Sequence, residues 1–188
     1  VILVAFIIAI ALGLRLYKID QFMTFLGDEG RDVRVIRDLL HGNLVFIGPQ
    51  TSIGNMYLGP LYYYLVAPAL LIAAYNPVGP AIEVALIGTL TVFLTWLFGR
   101  RWFGRVAGLI AALLFALSPV AIIYSRSSWN PNPMPLFALL SIWGIWQVWE
   151  EKQYAYLSLV AVSLALALQM HYLGLLLLPV LGIFWLLT

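Results

Sequence analysis

The chain of 188 residues has no cysteine, two histidines and only 10% charged residues. The lack of cysteine excludes disulfides and thiolate metal sites. An ordinary soluble domain is also excluded, because about a quarter of its residues would be charged. A net charge of +2, without a basic run interleaved with aromatic residues, argues against a nucleic-acid partner.

Apolar residues are abundant instead, at 63% of the chain with a mean hydropathy of +0.98. They form seven apolar segments with polar connectors between them: 1–16, 57–75, 81–98, 106–124, 134–149, 154–170 and 172–188. Tryptophan and tyrosine cluster near the segment ends, as they do at membrane interfaces. The sequence therefore predicts an all-α fold, a polytopic transmembrane helical bundle that crosses the lipid several times.

The first and last apolar segments are shorter than the ~20 residues of a spanning helix, and the chain does not begin with Met. We therefore expect residues 1–188 to be the N-terminal part of a transmembrane domain, truncated at both ends. A signal-peptide core at 1–14 is the alternative, but it has no basic region before it and no small-residue cleavage site after it.

The cations of the short connectors predict an orientation, since such loops stay in the cytoplasm when they are rich in Lys and Arg. Residues 99–105 carry three arginines and 150–153 carry one lysine, whereas 125–133 carry only Arg126. The first two connectors are therefore expected inside, and 125–133 outside with the region of His171. Segment 57–75 leaves two alternatives. If it spans, the polar stretch before it is cytoplasmic; if it lies in the interface, 17–80 forms one extracytoplasmic loop with interfacial helices.

Five of the eight acidic residues lie between Asp20 and Asp38. The pattern within this stretch predicts an amphipathic juxtamembrane helix at 29–41, which ends at Gly42 and lies on the membrane surface with its cations towards the headgroups. Its apolar stripe is Val33, Ile36 and Leu40, flanked by Val35 and Leu39, and its basic face is Arg31, Arg34 and Arg37.

Asp28 and Glu29 are the candidate catalytic residues. A carboxylate at this position can act as a general base that takes a proton from an acceptor hydroxyl. The structural alternative is that Asp28 caps the helix and that both acids are favoured by the positive end of its dipole. The two interpretations are compatible.

Three arginines are candidates for binding a phosphate, because guanidinium pairs with phosphate in a bidentate way. Arg31 and Arg34 belong to the predicted helix, where a solvated face with an Arg34–Asp38 pair is the alternative. Arg126 is the only cation of the polar connector 125–133, and its alternative is an interfacial anchor. No metal-ligand spacing is present, and the two histidines, His41 and His171, are far apart in the sequence.

Three blocks of this sequence together resemble a known family. They are Gly27-Asp28-Glu29-Gly30-Arg31-Asp32, then Leu58-Gly59-Pro60-Leu61-Tyr62-Tyr63-Tyr64, then 98–112 with Ser118-Pro119 at its end. They are similar to the N-terminal part of GT-C membrane glycosyltransferases, in particular the dolichyl-phosphate-mannose–protein mannosyltransferase group (glycosyltransferase family 39) and its bacterial relative, the aminoarabinose transferase acting on lipid A.

The resemblance implies an inverting glycosyltransferase that moves a sugar from a polyprenyl-phosphate donor to a hydroxyl acceptor. The active site would be extracytoplasmic, at a prokaryotic plasma membrane, which favours the interfacial alternative for 57–75. Asp28 would be the base with Glu29 beside it. The donor phosphate would be bound by Arg126, Arg31 and Arg34, and the substrate cavity would include Tyr62, Tyr63 and Asn130.

The sequence also departs from the family pattern. Relatives often have a lysine where this chain has Gly59, and an acid in the second outer loop where it has Asn130 and Asn132. Arg126 is a candidate replacement for the missing cation, and the missing acid argues against a tightly held divalent metal. Two other functions are compatible with the composition: a lipid transporter and a non-catalytic membrane scaffold.

Overall fold

The computed structural model describes residues 2–186, which form ten α-helices and two 3₁₀ turns. The helices are α1 Ile2–Leu16, α2 Ile19–Phe22, α3 Gly27–Leu40, α4 Leu61–Ile72, α5 Val78–Phe103, α6 Arg105–Leu117, α7 Pro119–Tyr124, α8 Met134–Trp149, α9 Leu157–Met170 and α10 Leu177–Leu186, with 3₁₀ turns at Tyr154–Tyr156 and Tyr172–Leu176. These residues contain no β-strand, and the pairing of Gln50 with Tyr57 is an isolated bridge. The all-α prediction is confirmed.

The long helix α5 is the axis of the molecule, with a length of about 39 Å at 1.5 Å per residue. Helices α1 and α6 pack against it through small and branched side chains: Ile7, Ala11, Val92, Ala112 and Ala116. Helices α8 and α9 pack alongside, where the Ser141 and Ser163 hydroxyls lie 2.9 Å apart. The ring of Phe98 on α5 stacks on Trp143 of α8 at 4.2 Å between centroids.

The polar connectors meet in two groups at opposite ends of this bundle. At one end, Arg101 pairs with Glu151 at 2.6 Å. At the other, Asn130 Nδ2 donates to the Met170 carbonyl oxygen at 2.6 Å. Asn130 and Asp28 line the same cavity at this end. We call these the Arg100 end and the Asp28 end. The connectors 99–105 and 150–153 thus share one end, and 125–133 shares the other with His171, which matches the predicted grouping.

Helix α3 lies at the Asp28 end and begins two residues earlier than predicted, at Gly27. It stops at His41, and Gly42 follows with φ +99°, the conformation that favours glycine after a helix. Its apolar stripe packs onto α4 in a core cluster that includes Ile36 and Val66. Because α4 covers this stripe, the stripe belongs to the core of the molecule.

Helix α4 runs beside α3 along its length. Near its start, the Tyr64 hydroxyl donates to the Val45 carbonyl oxygen at 2.9 Å. Just beyond its end, the ring of Tyr75 stacks on His41 at 5.9 Å. Helix α3 exposes Arg34 and Arg37, and its buried residues Ile36 and Leu39 share a core cluster with α4.

Within residues 2–186, α5 is the helix that is long and apolar enough to cross a membrane by itself. The other apolar helices have 10–17 residues. Helices α6 and α7 are separated only by Ser118, whose hydroxyl accepts from the Ala121 N–H at 3.4 Å and starts α7 at Pro119. Together they form one kinked helical stretch.

Candidate functional site

Glu29 fixes the start of α3 and links it to the connector 125–133. One carboxylate oxygen accepts from the Leu26 N–H at 2.9 Å, which satisfies a backbone donor of the first turn. The other accepts from the Ser127 hydroxyl at 2.7 Å, across 98 residues of sequence. The side chain is buried, with 4% of its surface exposed. The capping role expected of Asp28 therefore belongs to Glu29.

Asp28 points the other way, and half of its side chain is exposed (51%). Its Oδ1 accepts from Arg31 Nη1 at 2.8 Å, and its Oδ2 accepts from the Trp129 indole N–H at 3.2 Å. The indole comes from the connector that Glu29 anchors. A hydrogen-bond donor on each oxygen fixes the orientation of the carboxylate.

Arg31 is held between two acids of its own helix. Besides Asp28, it donates from Nε at 2.9 Å and from Nη2 at 2.8 Å to Oδ1 of Asp32. Asp28 and Asp32 are four residues apart and lie on one face of α3. The sequence pattern contained this signal, but Asp32 was not among the predicted site residues.

Asp32 is an almost fully buried acid, with 2% exposed. Burial raises its pKa to about 6, against the opposing effects of Arg31 and the Tyr63 hydroxyl. Its second oxygen, Oδ2, has no hydrogen bond of ordinary geometry, although that hydroxyl is near enough to affect the pKa. Asp32 thus binds the guanidinium of Arg31 on its buried side, whereas Asp28 binds it on the side exposed to solvent.

Asp28 and Trp129 line two cavities. The larger, of about 720 Å³, has a mostly apolar wall that includes Leu26, Val120 and Ile123. A third cavity of about 390 Å³ shares Val120, Tyr124 and Trp129 with it and reaches Gly88 of α5. The larger volume is in the range of a small-molecule site.

The smaller cavity beside Asp28 has a volume of about 120 Å³ and a wall of mixed polar and apolar surface. Its wall combines Arg31 with residues of three other segments: the loop 49–52, Asn130 and His171. His171 Nδ1 accepts from the Leu173 N–H at 3.2 Å, and partial burial lowers the pKa of its imidazole. The structure therefore brings Asp28, Arg31 and Asn130 together, as predicted for the site, and adds Trp129 and His171.

The other two predicted phosphate-binding arginines lie elsewhere. Arg34 is exposed and lines neither cavity beside Asp28. Arg126 packs against the corner between α1 and α2, where its Nη2 donates to the Tyr17 carbonyl oxygen at 2.6 Å and its guanidinium lies 5.1 Å from the Phe22 ring centroid. This placement agrees with the anchoring alternative for Arg126.

Tyr62 and Tyr63, predicted on the cavity wall, are instead in the core, with 0% and 2% exposed. The Tyr62 hydroxyl donates to the carbonyl oxygen of Ser128, so this ring fastens α4 to the connector. Their apolar rings are covered by α3, α8 and α9, and the aromatic residues on the wall of the larger cavity are Tyr124 and Trp129.

No three His, Asp or Glu side chains among residues 2–186 are grouped so that they could hold a metal ion. The site consists of a half-exposed carboxylate, a guanidinium and an indole donor between a small cavity of mixed surface and a larger, mostly apolar one. Such a site can accept a proton next to an anion that carries an apolar tail.

The described residues thus combine an all-helical fold, one helix long and apolar enough to cross a membrane, and a group of polar and charged side chains at one end of the bundle. The family model described as dolichyl-phosphate-mannose-protein mannosyltransferase matches residues 58–188, more than half of the chain. The chain belongs to this family, which is membrane-bound and of the glycosyltransferase type. No curated protein and no solved structure matches it. The match begins at Leu58, so the acids of α3 lie before it.

Proposed function

We propose that the protein containing this chain transfers a sugar from a polyprenyl-phosphate donor to a hydroxyl acceptor with inversion, and that Asp28 is the general base. The family supports the reaction type. The observation that supports the site is the position of the Asp28 carboxylate, which lines both the large, mostly apolar cavity and the small one of mixed surface.

In the proposed reaction, the acceptor oxygen attacks the anomeric carbon as Asp28 removes its proton. The bond between that carbon and the phosphate oxygen breaks, and the polyprenyl phosphate leaves with the electron pair. The Trp129 N–H and Arg31 keep Asp28 oriented. A positioned base of this kind typically contributes 10²–10⁴-fold to a rate.

Arg31 is the arginine that the proposal assigns to the leaving phosphate, because it lines the small cavity with Asp28. A fixed cation next to the departing oxygen stabilises the charge that develops there. The apolar wall of the larger cavity fits the prenyl chain. Arg34 and Arg126 then serve as comparison positions.

The proposal places the Asp28 end at the extracytoplasmic face of a multi-pass protein. Two features support this placement. The connector arginines 100, 101 and 105 lie at the opposite end, where the short-loop charge rule expects the cytoplasm. Helix α3, which exposes Arg34 and Arg37, lies at the Asp28 end, as expected of a large outer loop.

The test uses the full-length protein in membranes supplied with a labelled polyprenyl-phosphate sugar. We expect Asp28→Asn to lower transfer by at least ~100-fold, because asparagine cannot accept the proton at neutral pH. The matched control is Asp38→Asn, which changes an exposed acid of the same helix and should leave transfer within about twofold.

Arg31→Gln should slow transfer, whereas Arg34→Gln should not. Equal transfer by wild type and Asp28→Asn at equal expression would remove Asp28 as the base. Loss of transfer in Asp38→Asn as well would show that any change in α3 disrupts the protein, and the site assignment would fall.

A further inference from the structure

A separate cavity of about 200 Å³ lies at the Arg100 end of the bundle. Its wall contains two guanidinium groups, one indole and three aliphatic side chains: Arg100, Arg105, Trp96, Leu3, Val4 and Leu109. No acidic residue lines it. This cavity is distant from Asp28. Gly88 of α5 lies at the Asp28 end, where it contacts Ser125. Arg100 is 12 residues further along the same helix, or about 18 Å away.

The tight hairpin between α5 and α6 brings the two arginines together. Gly104 connects the helices with φ +90°, a conformation that side chains rarely adopt. The helices then cross closely, since a Cβ on Gly108 would lie 2.7 Å from the Trp96 carbonyl oxygen. This contact holds the last turn of α5 against the first turn of α6, and both arginines reach one cavity.

Among residues 2–186, no carboxylate neutralises the charges of these two arginines. The Arg100 guanidinium lies 5.6 Å from the Trp96 ring centroid. In the part of the chain that the structure describes, the carboxylate of Glu151 pairs with Arg101, and no carboxylate pairs with Arg100 or Arg105. Their neighbour Arg101 is therefore a natural internal control.

We infer that this cavity binds the phosphate headgroup of an anionic phospholipid, with Arg100 and Arg105 on the phosphate and the first acyl carbons along Leu3, Val4 and Leu109. Guanidinium groups suit phosphate oxygens. Basic pockets between membrane helices on the cytoplasmic side recognise anionic headgroups, and the indole of Trp96 suits the interface. The inference rests on the membrane placement proposed above.

The test is native mass spectrometry of the full-length protein, titrated in detergent with phosphatidylglycerol or phosphatidylcholine. We expect wild type to prefer phosphatidylglycerol. Arg100→Gln and Arg105→Gln should each weaken its binding about fivefold, which corresponds to about 1 kcal/mol per cation. The Arg101→Gln control should keep the wild-type affinity.

Equal phosphatidylglycerol binding by wild type and the double variant would overturn the inference, as would equal weakening by Arg101→Gln. Displacement of the lipid by millimolar inorganic phosphate would indicate a free-anion site and reject the lipid assignment. As a control for folding, the variants should have the same far-UV circular dichroism spectrum and melting temperature as wild type. Because no sugar donor is present, the result is independent of whether the transferase proposal holds.

Discussion

Two adjacent carboxylates at the start of α3 have opposite surroundings. Glu29 is buried and joins the Leu26 N–H to the Ser127 hydroxyl, so it fixes the local structure. Asp28 is half exposed and reaches two cavities. The division gives each acid one role: Glu29 sets the position of the connector that supplies Trp129, and Asp28 receives the donor N–H of that indole.

Asp32 predicts a specific pH dependence of stability. Its folded pKa, raised by burial to about 6, exceeds the 3.8 of the unfolded chain. Between these values the folded state binds more protons, so this group's contribution to stability falls as pH rises from about 4 to about 6 and is constant above. Arg31, Asp28 and Tyr63 are the groups that affect it.

Asp32→Asn should remove this contribution, which is up to about 3 kcal/mol for a shift of about two pKa units. The measurement is the free energy of unfolding in detergent across this pH range, taken as the difference between wild type and variant. Asp38→Asn, an exposed acid of α3, should keep the wild-type slope. A pH-independent difference for Asp32→Asn would contradict the prediction.

Several site residues could be predicted from sequence because their signal is local. Asp28, Arg31 and the stop at Gly42 all follow from spacing within one helix. The Glu29–Ser127 and Asp28–Trp129 bonds could not be predicted this way, since each joins residues about 100 positions apart. The core position of Tyr62 was missed for a related reason: its hydroxyl suggested an interface, but the Ser128 carbonyl satisfies it inside the protein.

At the scale of elements, close packing of α5 on α6 depends on Gly99 and Gly108, since a Cβ on Gly99 would lie 3.1 Å from Gly108 Cα. A Cβ on Gly108 would lie 2.9 Å from Arg100 Cα, which is backbone and cannot move aside. Small residues of this kind let membrane helices approach. We therefore expect Gly108→Ala to lower the free energy of unfolding by about 1–3 kcal/mol, the cost of overpacking.

Gly13→Ala is the matched control, because no atom lies within 4 Å of a Cβ built there. This variant should be neutral or slightly more stable, since alanine favours a helix over glycine by up to about 1 kcal/mol. Unfolding in detergent, followed by circular dichroism, measures both variants. A Gly108→Ala protein as stable as Gly13→Ala would show that the two helices do not pack closely.

Element positions followed well from hydropathy, whereas element neighbours did not. Each predicted apolar segment overlaps a helix of the structure, although α5 extends beyond segment 81–98 at both ends. The partner of the α3 stripe could not be predicted, because amphipathicity identifies an apolar face without identifying what covers it. In the structure α4 covers it with its core residues Val66 and Leu70.

At the scale of the whole molecule, the two ends differ in chemistry. The Asp28 end has carboxylates, an indole donor and two connectors joined by Asn130. The Arg100 end has unpaired guanidinium groups and a cluster of aromatic rings around Trp102. This polarity is what an oriented membrane protein needs, since its two faces meet different surroundings.

Residues 1–188 contain no cysteine, so cysteines introduced here test this orientation directly in a full-length protein whose other cysteines are replaced by serine. Asn43, Asn76 and Lys152 are exposed, and each is replaced by cysteine in a separate variant. A membrane-impermeant maleimide should label the first two in intact cells, and the third only after permeabilisation. Because Asn43 precedes α4 and Asn76 follows it, their shared labelling requires that α4 does not cross the membrane. Labelling of Asn43→Cys and Asn76→Cys from opposite sides would instead make α4 a span and move Asp28 to the cytoplasm, where the proposed outer-face reaction could not occur.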